Sequence, residues 1–416
     1  MVIHCIPQKG NHAGKGVGTM RVLMVGIGGA GCRIADMLYS HDQKSPSVRC
    51  IDGIVVDSDA SSLDGLRALP KENLIFWKTL DPNHEVSSST MLPHDEIIAR
   101  LQSLDPGDID ALIICSGLGG TMAGLVPSLI KNIKKTMVEP VFGLFTLPCD
   151  KEGEEVLTKA ADQIDLLIKV TDGIILFDNE KWFKRVKNDP DLQVSPEAER
   201  GLITSRKRET TPQTEISLVY EGINQIIASW VSLILRAGEV NERPGTEVGE
   251  VALDAGEIIN TLRGSGLAAI GLAREPVKDV YPGLIRKLRP GVHSVEEHHE
   301  KASRILALGK KAVLEEMSVS CILSDAQKAL ILIAGPAREL NMRGYLVFRH
   351  WVDTNIRGLE VRSGDYPVNS SRFVAVAVIL SGFLHIARVD SLRAVRDRKG
   401  DALLPEERGE GYHEVS

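Results

Sequence analysis

Apolar and polar positions along the first half of the chain alternate in blocks, and the blocks predict strand and helix in succession. Short apolar runs at Val22 to Val25, Ile51 to Val56, Leu74 to Phe76, Ala111 to Cys115, Val141 to Phe145 and Gly173 to Phe177 predict strands. Between them, residues 30–39, 60–68, 92–104, 124–135 and 153–168 repeat their apolar positions at helical spacing. That order implies an α/β fold with right-handed crossovers and a mostly parallel sheet covered on both faces. Ligands then belong at the carboxyl ends of the strands.

Lys181 to Thr214 is polar and predicts a short helix followed by a loop. Residues 215–237 then carry the longest helical signal, with Ile216, Val219, Ile223, Ile226, Ile227, Trp230, Leu233 and Ile234 on one face. Pro212 is a start signal and Gly238 a stop. At about 1.5 Å per residue such a helix crosses a whole domain. The second half changes grammar near Asp254. Strands are predicted at Leu267 to Leu272, Ala329 to Ala334, Asn355 to Val361 and Phe373 to Leu380, with helices near 299–315 and 337–350. The expected layout is a flexible leader at residues 1–19, a parallel-sheet domain at 20–213, and a central helix at 214–238. A smaller α+β domain at 239–387 and a charged tail at 388–416, disordered past Lys399, complete it.

Composition narrows the function. The chain has 416 residues, more than one core usually holds. A net charge of −7 argues against nucleic acid or an anionic membrane as the main partner. No apolar run approaches a membrane span, and the N-terminus lacks the apolar segment of a signal peptide, so no direct membrane insertion is expected. Six cysteines without paired metal-ligand spacing fit reduced thiols in a cytoplasm.

Two glycine-rich loops carry the chemistry. The first, Gly26-Ile27-Gly28-Gly29-Ala30-Gly31, follows the first strand as G-x-G-x-x-G, and Asp57 ends the next strand. Alone, that pair would indicate an NAD(P)-binding Rossmann oxidoreductase. The second runs from Ser116 to Gly124 after the fourth strand. A dinucleotide needs only one such loop. Two anion-binding loops on neighbouring strand ends suit a nucleoside triphosphate, and Thr121 adds a hydroxyl donor.

The order of these loops resembles the tubulin/FtsZ superfamily of GTP-dependent filament proteins, in a divergent archaeal or bacterial FtsZ-like or CetZ-like form. The family signature GGGTGTG or GGGTGSG corresponds to Gly119-Gly120-Thr121-Met122-Ala123-Gly124, one glycine shorter, with Pro127 soon after. Gly28, Gly29 and Gly31 match the first loop. Thr146-Leu147-Pro148-Cys149-Asp150-Lys151-Glu152-Gly153 resembles T-K-P-F-x-F-E-G, which puts Glu152 on the ribose. Phe177-Asp178-Asn179-Glu180-Lys181 is similar to P-N-[DE]-[KR], which puts Asn179 on the base. Tyr220 and Asn224 match a Tyr-x-x-x-Asn pair whose ring stacks on guanine and whose amide reads its edge.

The resemblance therefore implies a GTP/GDP site made of Gly28, Gly29, Gly31, Cys32, Arg33, Gly117, Gly119, Gly120, Thr121, Met122, Gly124, Glu152, Asn179, Tyr220 and Asn224. Magnesium would be held mainly by the phosphates, with no protein metal centre. Ala252-Leu253-Asp254-Ala255-Gly256-Glu257 resembles N-x-D-F-A-D. Asp254 and Glu257 inherit the acids that complete the next subunit's site and position the attacking water. Two carboxylates at a helix start can polarise a water, and acids there are also common caps. Ala326 to Pro336 and Val374 to Phe383 resemble later FtsZ strands, so the likeness covers roughly Arg21 to Phe383.

The implied function is a GTP-hydrolysing, cytoplasmic cytoskeletal protein that assembles with itself head to tail. Arg33 stands where FtsZ has Asn, Val156 where it has Arg, and Ala252 where it has Asn; His84 to Thr90 replaces the third loop, G-L-G-A-G-A. These departures support a second reading, a GTP-binding regulatory or scaffold paralogue without filament turnover. Cys32, Cys115 and Cys149 read as small buried fillers at strand ends.

Overall fold

The structure, a computed structural model, describes residues 19–45, 49–78, 92–105, 107–189, 192, 212–238, 251, 253–277, 294–368 and 371–403. In the first half, strand and helix alternate as the apolar blocks require. The order is β1 (Val22–Ile27), α1 (Gly28–Gln43), β2 (Ile51–Asp57), α2 (Ala60–Asp64), β3 (Leu74–Phe76), α3 (His94–Leu104) and β4 (Ala111–Gly117). It continues with α4 (Val126–Thr136), β5 (Val141–Leu147), α5 (Glu154–Val170), β6 (Gly173–Asp178) and α6 (Asn179–Asn188). Every residue of β1, β5 and β6 is buried, which is why these strands read as unbroken apolar runs.

The long helix α7 (Pro212–Leu235) leads to α8 (Ala255–Leu262), β7 (Leu267–Pro276), α9 (Ser294–Leu314) and β8 (Lys328–Gly335). Then come α10 (Met342–Asn355), β9 (Glu360–Pro367), β10 (Phe373–Phe383) and α11 (Ala387–Leu403). All ten strands form one sheet in the order β3-β2-β1-β4-β5-β6-β7-β10-β8-β9. Only β10 runs against its neighbours. One apolar layer lies under α3, α4, α5, α9, α10 and α11, the other under α1, α6, α7 and α8. Each layer draws residues from both halves of the chain.

The seam between the halves is narrow. β6 pairs with β7 only at Ile174↔Leu267 and Ile175↔Ala268. Beyond that point the strands part, and Ser318 fills the gap. Its Oγ donates to the Leu176 carbonyl at 2.6 Å and accepts the Ile270 N–H at 3.0 Å. Its carbonyl accepts the Asp178 N–H at 2.9 Å and Trp182 Nε1–H at 3.1 Å.

Three expectations change. Asn355 ends α10 instead of opening a strand, and the strand begins at Glu360. β9 is an edge strand rich in polar side chains (Glu360, Arg362, Asp365), so it lacks the apolar run that marks interior strands. The charged stretch from Arg388, expected to be a tail disordered past Lys399, is helical as far as Leu403. Val389 and Leu392 are buried against the core, and Arg393 and Arg396 pair with Asp165 of α5 at 2.7 Å each. In α7, Ile216 is 43% exposed while Val219, Ile223, Ile227, Trp230 and Ile234 are buried. By length and composition α7 would also pass for a membrane span. Its buried face belongs to the core with α1. The leader at 1–18, the region of the third loop (His84 to Thr90), and Ala252 lie outside the described residues.

Candidate functional site

Strand register brings the predicted loops side by side. Ile27 faces Ser116, Gly117 faces Thr146, and Leu147 faces Asp178, so β1, β4, β5 and β6 end level with one another. This is the carboxyl edge where parallel sheets bind ligands.

The first loop turns straight into α1 at Gly28, whose φ of 70° suits glycine. Gly31 lets the helix touch the next strand, since a Cβ there would stand 2.1 Å from the Cys115 carbonyl oxygen. The Cys32 side chain fills the space beneath. Its Sγ donates to the Gly26 and Val56 carbonyls at 3.6 and 3.5 Å, and burial pushes the thiol well up from its ordinary value. It is the filler the sequence suggests, and its thiol does not face the loop mouth. Arg33 is exposed and folds back, its Nη1 3.4 Å from where a Gly29 Cβ would lie.

The second loop is pinned to α5. Gly119 has a φ of 90°, and a Cβ there would meet Val156 Cγ1 at 2.5 Å. The Gly119 N–H donates to Gln163 Oε1 at 2.7 Å, and Gln163 Nε2 donates back to the Gly120 carbonyl at 2.9 Å. Gly117 lies against Ala30 and Thr146, while Ser116 Oγ donates to the Ile27 carbonyl at 3.0 Å. Met122 is buried 3.1 Å from a virtual Gly28 Cβ, so the two glycine loops touch. Gly120, Thr121 and Gly124 are the exposed positions.

A third corner forms after β5. Glu152 Oε1 accepts the Cys149 N–H at 2.7 Å and the Tyr220 hydroxyl at 3.2 Å. Burial pushes the Cys149 thiol up to about 11 and raises the Tyr220 phenol. The Tyr220 ring lies 5.6 Å from that of Phe183, over which Lys151 Nζ sits at 3.1 Å. Asn179 opens α6 behind its cap, Asp178, and its Oδ1 is buried without a hydrogen-bond partner among the described residues. Asn224, one turn along α7 from Tyr220, is buried.

Two family models divide this chain. The one described as "Tubulin/FtsZ family, GTPase domain" matches residues 21–187, and "Tubulin-like CetZ, C-terminal domain" matches 213–397. Tubulin-like protein CetZ3 of Haloferax volcanii is 30% identical over 385 residues, covering 90% of this chain and 91% of that protein. The chain belongs to the CetZ family of tubulin-like proteins. Among solved structures, the GDP-bound monomer of Haloferax volcanii CetZ1 superposes with a TM-score of 0.69 at 26% identity, covering 92% of this chain and 100% of that one. A GTPγS-bound protofilament of CetZ2 from the same organism gives 0.69 at 23%, covering 92% and 99%. A CetZ family member with a GTPase domain is not the Rossmann oxidoreductase that the first glycine loop alone would indicate.

In this CetZ-family chain the fold gathers both glycine loops, Glu152, Asn179, Tyr220 and Asn224 along one edge. It does not gather Asp254 and Glu257 with them. Asp254 caps α8, its Oδ1 accepting the Glu257 N–H at 2.9 Å. Burial, then the Asp254 charge, raises the Glu257 carboxyl above its ordinary value. The far end of α8 meets the start of β6, where the Gly264 N–H donates to the Asp172 carbonyl at 2.7 Å. The chain entering α8 is held to β9, where the Asp365 N–H donates to the Val251 carbonyl at 2.9 Å, and β9 lies four strand spacings, about 19 Å, across the sheet from β6 and the Asn179 corner. Gln163, Lys151, Phe183 and Arg388 at this edge were missed from sequence. Gln163 alone left a signal, as a polar residue among the apolar positions of α5.

Proposed function

We propose that this protein binds GTP along the carboxyl edge, assembles head to tail, and hydrolyses GTP at sites completed by the next subunit. The observation that carries the reading is that two touching glycine loops share one edge with Asn179, whose buried Oδ1 lacks a hydrogen-bond partner among the described residues, while the acids open a helix whose entry is held to β9 across the sheet. The residues fit a nucleotide. Exposed Gly120, Thr121 and Gly124 offer backbone and hydroxyl donors where no side chain blocks approach, and Arg33 adds a cation over the first loop. Glu152 faces the ribose. The Asn179 and Asn224 amides can donate to guanine O6 and accept from its ring N–H groups.

Among the described residues no cluster of three His, Cys, Asp or Glu could hold a metal. Magnesium would sit mainly on the phosphates, where it supplies charge neutralisation. From the neighbouring subunit, Asp254 and Glu257 would orient and polarise the attacking water. The relatives' GDP-bound and GTPγS-protofilament forms support the nucleotide-binding and assembly parts of the reading. The proposal includes a cytoplasmic location and no partnership with nucleic acid or membrane.

The alternative, a scaffold that binds GTP without turnover, is favoured by one contact. Val156 packs on Gly119, so the position where FtsZ carries Arg is used for packing here. Calorimetry with GDP, GTP and NAD, followed by light scattering and phosphate release with GTP, separates the readings. Guanine-selective binding with GTP-dependent scattering and release is expected. Binding without either outcome leaves the scaffold, and no guanine binding defeats both.

A further inference from the structure

Helix α11 opens with a cation that reaches two separate parts of the proposed nucleotide edge. The side chain of Arg388 is only 10% exposed. Its Nη1–H donates to Asp150 Oδ1 at 2.6 Å and its Nη2–H to the Pro148 carbonyl at 2.6 Å. Its Nε lies 3.5 Å from Asp178 Oδ1. Pro148 and Asp150 belong to the loop that carries Glu152, and Asp178 caps the helix that begins with Asn179. One planar fork therefore spans the loop beside the ribose and the helix beside the base.

Two other α11 arginines do something different. Arg393 and Arg396 bind Asp165, and Arg396 also reaches Asp162, all on the face of α5. They hold the helix down without touching the nucleotide edge. These pairs are half-buried on the side of α5 away from the nucleotide loops. Arg388 is nearly buried, and its fixed donor geometry sets distances that a flexible ammonium would not. Asp178 shows the coupling: burial pushes its carboxyl up, and the Arg388 charge draws it back.

We infer that Arg388 is a positioning residue for the guanine nucleotide, fixing the spacing between the Glu152 loop and Asn179, so that α11 is part of the binding site. This rests on the GTP-binding reading above. The test compares the full-length protein with Arg388→Gln, Arg388→Lys and Arg393→Gln, titrated with GDP and 2′-deoxy-GDP by calorimetry.

Loss of a charged hydrogen-bonding fork should weaken GDP binding roughly tenfold in Arg388→Gln. It should also narrow the preference for GDP over the 2′-deoxy analogue. Arg388→Lys should recover part of both effects. Arg393→Gln, which loosens α11 elsewhere, should bind GDP as the parent does. Unchanged affinity and preference in Arg388→Gln overturn the inference, as does an equal loss in Arg393→Gln. Failure of the parent protein to bind GDP overturns the GTP reading itself, a result distinct from either.

Discussion

Gln163 holds Gly119 from both directions: its amide oxygen accepts the Gly119 N–H at 2.7 Å while its nitrogen donates to the next carbonyl, that of Gly120, at 2.9 Å. A side chain 44 residues away thereby supplies the shape of a loop one glycine shorter than the family signature. Gln163→Leu should lower stability by about 1–3 kcal/mol, because the buried Gly119 N–H loses its side-chain acceptor. Gln163→Glu keeps the acceptor but loses the donor and should fall between. Urea denaturation measures both, and a parental midpoint in Gln163→Leu would show the grip to be idle.

The seam between the halves offers a second measurement. Ser318 is fully buried and satisfies the Ile270 N–H and the Leu176 carbonyl with one hydroxyl. Ser318→Ala leaves both groups unpaired and should cost about 2–3 kcal/mol. If the melting temperature is unchanged, the strands on either side must close without the hydroxyl.

Asp254 invites a comparison of two substitutions. Asp254→Ala removes the α8 cap and should cost about 0.5–2 kcal/mol, whereas Asp254→Asn still caps and should keep parental stability. A chemical role predicts that both variants lose GTP-dependent phosphate release. A purely structural role predicts that Asp254→Asn retains it.

Glu257 gives a pH signature. Its carboxyl is raised in the folded state by burial and by Asp254, so its favourable contribution is present below the unfolded carboxyl pKa and is lost as pH rises through the folded value. Glu257→Gln cannot ionise. The stability of the variant relative to the parent should therefore grow as pH rises from about 4, the ordinary carboxyl value, through the higher folded one, and then level off. Paired thermal melts across that range read the slope, and a difference that shrinks with rising pH contradicts the assignment.

Much of this was legible because interior strands are apolar on both faces. β1, β5 and β6 announce themselves in a way that β9, on an edge with Glu360, Arg362 and Asp365, does not. The glycine loops, Glu152, Asn179 and the Tyr220–Asn224 pair are local motifs, and local motifs survive in a single sequence. Arg388 gains its meaning from Asp150, 238 residues away, and no spacing rule reaches that far. The same is true of α11, whose charges suggested solvent until Asp165 and Asp162 supplied their partners. Asp254 shows the reverse limit: its capping and catalytic readings share one sequence pattern, and the observed cap does not exclude the second.

The separation of Asp254 from the glycine loops has a consequence for any stack of these chains. On the head-to-tail proposal, a subunit never acts on its own nucleotide. A copy with altered acids would keep a sound nucleotide edge of its own and silence the one it faces, so the defect would be inherited by its neighbour. The terminal subunits would also differ in kind. One would carry a nucleotide that nothing can cleave, and the other would present acids with no substrate.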